Sequence, residues 1–306
     1  MNTFVRSFDS HVARWKWVAP ILLIGLSFAT TTAQAQSLGY EGPTGVFVTP
    51  LAYTSASPAN GLGKPSVAYH FLAGGPVIGD FSTVSITEGF AKRFEVGYTS
   101  EVHAGPSYAN LWSSDFSIIH GKATIVSENA FHTKWVPAIA VGGIFRTNDH
   151  DAYDGASAET TGSSAQTTKN GDVYLVATKT VTQTKKVPLL LSAGVRGTNA
   201  SLWGLGGNAP SFTARGFGAL ALVFTGPSKS TIIVGAEISQ QPQRIKVGQA
   251  SALDIPTSEV YAVRIVPSPK YKLNVDVGVL QAGGNVGGGL NLDARARVAF
   301  GISYGF

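Results

Sequence analysis

The stretch RVAFGISYGF, residues 297–306, decides how the rest of the chain is read. Val298, Phe300, Ile302, Tyr304 and Phe306 fall on one parity, and Arg297, Ala299, Gly301, Ser303 and Gly305 on the other. A period of two is that of an extended strand with one apolar face. Its glycines and aromatics make it a poor helix.

The same period recurs upstream. In 94–99 the apolar set is Phe94, Val96 and Tyr98. In 272–279, Leu273, Val275, Val277 and Val279 alternate with Lys272, Asn274, Asp276 and Gly278. In 260–266, Tyr261, Val263 and Ile265 face away from Arg264. Together the segments predict about twelve strands between Ser66 and Phe306. Two are ambiguous: 115–126 carries Ile on both faces, and 213–224 carries large apolar residues on both.

The connections sort by length. Short ones, at 89–92, 127–135, 182–186, 226–230 and 267–270, are mostly Lys-, Pro- or Gly-containing. They alternate with long ones at 104–114, 147–171, 197–212, 241–258 and 281–293, rich in Gly, Ser, Asn, Thr and Asp. A barrel that spans an outer membrane has short turns on one side and long loops on the other. A soluble sandwich has no reason for that order. A Gly also recurs mid-strand, at Gly97, Gly142, Gly194, Gly235 and Gly278, with a spacing of roughly two strands. A propeller gives a comparable repeat, but its blades need four strands each.

Composition agrees. Charged residues are 13% of 306, 36 are Gly and none is Cys. A soluble domain carries roughly 25% charged residues. Disorder, a disulfide scaffold and a thiolate metal site are thereby excluded. Arg6, Arg14 and Lys16, the apolar run 18–29 and Ala33-Gln34-Ala35 have the layout of a secretory signal peptide cleaved after Ala35. The net charge of +5 includes those three basic residues, so nothing in the charge balance points to nucleic acid.

The expected fold is therefore all-β: a single antiparallel transmembrane barrel of about 12 strands (10–14), over 66–306, in the bacterial outer membrane. In lipid every backbone polar group must be satisfied, so the sheet has to close. Alternation then puts Glu95, Arg196, Glu237, Arg264, Asp276 and Arg297 on the luminal face. Outer-membrane lipid meets the apolar face. The competing reading, a soluble barrel with the charges outside, has the same alternation. Loop sorting and the last strand separate them. Phe300, Ile302, Tyr304 and Phe306 resemble the C-terminal signal of outer-membrane barrels, which implies the barrel-assembly machinery as a partner.

Residues 36–65 precede the barrel. They are rich in Pro and Gly, with one apolar island at 45–53. Two readings are open: a periplasmic lead-in under the barrel, which we prefer, and a plug that folds into the lumen. The run from Gly45 to Tyr53, with Gly61 to Tyr69 and Gly89 to Tyr98 (GFAKRFEVGY), resembles an uncharacterised proteobacterial family of outer-membrane β-barrels. It is more distantly similar to barrels associated with exopolysaccharide secretion. The resemblance implies an architecture and no catalytic residue.

The sequence carries few signatures of chemistry. His residues are scattered, and there is no HExxH and no G-x-S-x-G elbow. Asp149, Asp151 and Asp154 in the loop 147–171 have oxygen ligands for Ca²⁺ but not the EF-hand spacing, and read as a solvated loop. No cofactor, metal or catalytic residue is assigned, and the chain is not read as an enzyme. The leading expectation is a porin-like channel passing a small solute along a charged lumen. The alternative is a non-conducting structural or accessory barrel of the envelope or of polysaccharide export. A hydrolase with a site at the outer rim is the weakest reading.

Overall fold

The structure is a computed structural model, and it describes residues 37–75, 79–104, 115–147, 169–181, 187–200, 208–241, 257–268, 270–282 and 297–306. Residues 1–36, which hold the expected signal peptide, and the three aspartates at 149, 151 and 154 lie outside the described residues.

Twelve strands follow in order: β1 (Ser66–Ala73), β2 (Asp80–Phe90), β3 (Phe94–Ala104), β4 (Phe116–Val126), β5 (Ala138–Thr147), β6 (Lys169–Val181), β7 (Leu189–Ala200), β8 (Asn208–Thr225), β9 (Thr231–Ser239), β10 (Ser258–Val266), β11 (Leu273–Gln281) and β12 (Arg297–Gly305). Each pairs antiparallel with its sequence neighbours, and β1 pairs with β12, so the sheet closes on itself. The register at the seam places Ser66 opposite Gly305 and Leu72 opposite Ala299. Closure leaves no open sheet edge. Phe306, counted above as the last strand residue, lies just past the end of β12.

Two tight turns sit at one end. Between β2 and β3 the chain reverses through Ala91 and Lys92, both with positive φ (51° and 56°). Ser228 and Lys229, between β8 and β9, do the same. Such left-handed residues match the twist of the flanking strands.

The two faces of the wall differ in kind. Outward residues are apolar and exposed, among them Val96, Tyr98, Val141, Val173, Leu220, Val263, Val277 and Val298. Inward residues are largely polar and buried, among them Thr83, Ser85, Thr87, Glu95, Thr99 and Asn274. The ambiguous strands resolve by parity. In β4 Ile118 is fully buried while its neighbour Ile119 is exposed. In β8 Phe217, Ala219 and Ala221 face inward, and Leu220, Leu222 and Phe224 outward.

The recurring mid-strand Gly has a physical role. Gly97 lies opposite His120, Gly142 opposite Tyr174, Gly194 opposite Phe217, and Gly301 opposite His70 in the register. In each pair the inward ring lies across the glycine, where a Cβ would come within 2.2–2.6 Å of it. A bare backbone lets a large side chain on the next strand lie flat on the wall.

That flattening leaves room for chain. Residues 37–55 run inside the barrel, with Leu38, Tyr40, Phe47, Leu51 and Ala52 buried. The run is folded on itself: Gly45 bridges to Pro50, the Val46 amide donates to the Thr49 carbonyl (3.0 Å), and the Leu51 amide to the Thr44 carbonyl (3.0 Å). Further on, the Gly63 amide donates to the Gly89 carbonyl and the Ala91 amide to the Gly61 carbonyl. The segment thus leaves beside the β2–β3 turn before entering β1.

Candidate functional site

The site is the contact between this luminal segment and the wall. Backbone groups in an irregular run have no ladder to satisfy them, so buried ones must find side chains. Here inward side chains of β2, β3, β4, β6, β9 and β10 supply them.

The first grip is on the loop 45–50. The Glu237 carboxylate of β9 accepts three consecutive amides, from Phe47 (2.6 Å), Val48 (3.0 Å) and Thr49 (2.6 Å). On the other side, the Arg264 guanidinium of β10 donates to the Gly45 carbonyl (3.3 Å) and to the Val46 carbonyl. Arg264 is held in place by Asp276 of β11 at 2.7 and 3.2 Å. A carboxylate therefore meets the amide side of the loop and a cation its carbonyl side.

The second grip centres on Glu95 of β3. It accepts from the Thr44 amide (3.0 Å), the Thr44 hydroxyl (2.7 Å) and the Ser55 amide (2.8 Å). Lys122 of β4 neutralises it at 2.8 Å and donates to the Thr44 carbonyl at 2.9 Å. Both side chains are fully buried.

The third grip is on Glu41. Arg146 of β5, wholly buried, donates to Glu41 (2.5 Å), to Asn170 (2.9 Å) and to Asp172 of β6 (2.8 Å). Asp172 is shared with Arg196 of β7 at 3.6 Å, and Arg196 lies over the Phe217 ring at 5.2 Å. Charges this deep are tolerable only when paired.

Neutral contacts fill the intervals. Thr83, Thr87 and Thr99 donate to the carbonyls of Tyr40, Gly42 and Glu41 at 2.8–2.9 Å. The Tyr40 hydroxyl donates to Glu101 at 3.1 Å. The Ala52 amide donates to Thr178 (2.9 Å), and Thr124 donates to the Ala52 carbonyl (2.8 Å). Phe47 meets the His70 ring edge-on at 5.4 Å. Between segment and wall lie cavities of about 10 and 20 Å³, on the scale of single water molecules.

Of the six candidate luminal charges, Glu95, Arg196, Glu237 and Asp276 are buried, and Arg264 is partly buried. Arg297 is half-buried at the other end of β12, its guanidinium against Gly75. Glu95, Glu237 and Arg264 bond the segment's backbone directly, and Asp276 also accepts from Ser37 at 3.5 Å. Of the C-terminal residues, Ile302 is exposed on the outer face, with Phe300, Tyr304 and Phe306 half-exposed. Sequence reasoning missed Lys122, Arg146, Asp172 and Glu41. Lys122 shares the parity of Ile118, so knowing the face of β4 would have found it. Glu41 sits in a run without period and carried no signal. Among the described residues no group of His, Asp and Glu is arranged to hold a metal.

A protein-family model matches residues 40–262, which is most of the chain and takes in most of the luminal segment. The chain belongs to that family, described as "Protein of unknown function (DUF3034)". No curated protein matches it. Among solved structures the chain is similar to the KdgM porin, at 13% identity over 79% of this chain and 99% of the porin, with a TM-score of 0.45. It is similar to the NanC porin at 9% identity, over 79% and 98% of the two chains, with a TM-score of 0.43. It is also similar to an outer-membrane channel from Pseudomonas putida F1 at 11% identity, over 82% and 97%, with a TM-score of 0.41.

Proposed function

We propose that this protein is an outer-membrane barrel closed at rest by its own residues 37–55, and that it passes a small polar solute when that segment is displaced. The observation that carries the reading is the use of luminal charge: Glu95, Glu237 and Arg264 are committed to main-chain groups of the segment. A barrel of eight strands is filled by side chains alone, and one of sixteen or more leaves a channel. Twelve strands enclose an intermediate space, and here a folded run of the same chain occupies it.

The apolar outer face suits lipid, and the turn end suits the periplasm. The segment then enters from the periplasmic side, directly after the cleaved leader, and the C-terminal strand is what the assembly machinery engages. On the β9–β12 side the segment is held chiefly by hydrogen bonds, which water or a solute can replace at modest net cost. No enzymatic step is part of the reading.

A second reading is favoured by one observation. Ala52 packs into an apolar cluster with Phe116, Ile118, Ala138, Ala140, Ile144, Val176 and Phe217. A core of this kind suits a permanently filled, non-conducting barrel that serves the envelope structurally.

Single-channel recording in planar bilayers separates the two. The intact barrel is expected to be silent, and a form lacking residues 37–55, checked for heat-modifiable migration as a folded barrel, to give discrete ohmic steps. Steps from the intact protein overturn closure by the segment. Silence from both folded forms overturns conduction and leaves the structural barrel.

A further inference from the structure

The grip of Glu237 differs from the other two. Glu95 is neutralised by Lys122, and Glu41 by Arg146. Glu237 is buried, and among the described residues its partners are main-chain amides rather than a cation. Those amides come from three consecutive residues, 47–49, and converge on one carboxylate at 2.6–3.0 Å. Successive backbone N–H groups aimed at one point form an anion-binding concavity. The concavity is pre-shaped without Glu237. The Gly45–Pro50 bridge and the Val46–Thr49 hydrogen bond close the loop. Arg264, fixed by Asp276, anchors its carbonyls from the other side.

We propose that residues 47–49 are a carboxylate receptor, occupied in the closed barrel by the Glu237 side chain and able to take a free small monocarboxylate in its place. The ligand class follows from the occupant. Both Glu237 oxygens are engaged, one by Phe47 and the other by Val48 and Thr49, so a planar two-oxygen anion fits and a spherical halide does not. The inference rests on the closed-barrel reading for its consequence: a carboxylated solute in the lumen competes with Glu237 for the same amides and loosens the loop from β9.

Glu237→Ala removes the occupant and leaves space of about the size of formate or acetate. The full-length variant, ¹⁵N-labelled in lipid nanodiscs, is titrated with sodium formate and sodium acetate against sodium chloride at equal ionic strength. The amide resonances of Phe47, Val48 and Thr49 are expected to shift saturably with formate and acetate and not with chloride. The wild-type protein should need at least tenfold more formate for the same shift. The same variant in planar bilayers is expected to conduct. Absence of a saturable shift at the three amides overturns the receptor, even where the variant conducts and the closed-barrel reading stands. An equal shift with chloride overturns its selectivity for carboxylates and with it the proposal. Saturable carboxylate shifts without conductance in any variant uphold the receptor and overturn the closed-barrel reading instead.

Discussion

The two sides of the lumen hold the same segment by different physics. Toward β4–β8, Ala52 sits in an apolar cluster, and Arg146 with Glu41 and Asp172 is buried in full. Toward β9–β12, the loop 45–50 is met by Glu237 on one side and Arg264 on the other, and Phe47 meets the His70 ring of β1 edge-on. The first side resembles a protein core, where loss of a group leaves a void or an unpaired charge. The second is a set of directional polar contacts around a loop that keeps its own shape. A segment anchored by a core on one side and clasped by hydrogen bonds on the other can be released at the clasp without dissolving the anchor.

That contrast can be broken at graded depths. The largest effect is expected from Arg146→Ala. It leaves Glu41 buried without its cation and Asp172 with only the more distant Arg196, a loss of about 3–5 kcal/mol, to be read as a lower urea midpoint for unfolding from lipid vesicles followed by tryptophan fluorescence. Ile118→Ala should cost about 3 kcal/mol, because its cavity opens inside the apolar cluster. Equal stability of that variant and wild type would mean that the cluster is not an anchor.

Glu237→Ala should lower the unfolding midpoint less, by the equivalent of about 2 kcal/mol for hydrogen bonds to a charged group. Its main effect should appear as conductance. A variant as unstable as Arg146→Ala would erase the distinction between anchor and clasp. The smallest effect is expected at Ile119→Ala, one residue from Ile118 and on the outer face. Lipid or detergent fills the space there, and the change should stay within about 0.5 kcal/mol. Ile118 and Ile119 thus separate core from lipid face within one strand.

Much of the wall was legible in the sequence. Period-two patterning located the twelve strands to within a few residues, because a half-buried strand must alternate. Parity placed Glu95, Glu237 and Asp276 on one face before any neighbour was known. Where both faces carry large side chains, as at Ile118 and Ile119, the pattern has no contrast, and Lys122 was lost with it. Arg146 sits one residue before the end of β5, beside a long polar loop, where a charge carries no signal of burial.

The recurring Gly was visible as a repeat, but its meaning was not. Gly142 needs Tyr174 and Gly194 needs Phe217, and each partner lies on the next strand across the register. The position of residues 37–55 was still less legible. Pro, Gly and a short apolar island favoured a lead-in over a luminal run, since an irregular segment has no period to reveal its surroundings.

By itself, then, the sequence determined the strand set, the two faces of the wall and the class of fold, because these follow from local alternation and from the need of a sheet to close. Only the tertiary structure decided which wall charges meet the segment and through which atoms. Those partners are brought together by ring closure from strands nearly two hundred residues apart from the segment, as Phe47 and Glu237 are. No local pattern encodes such a pairing.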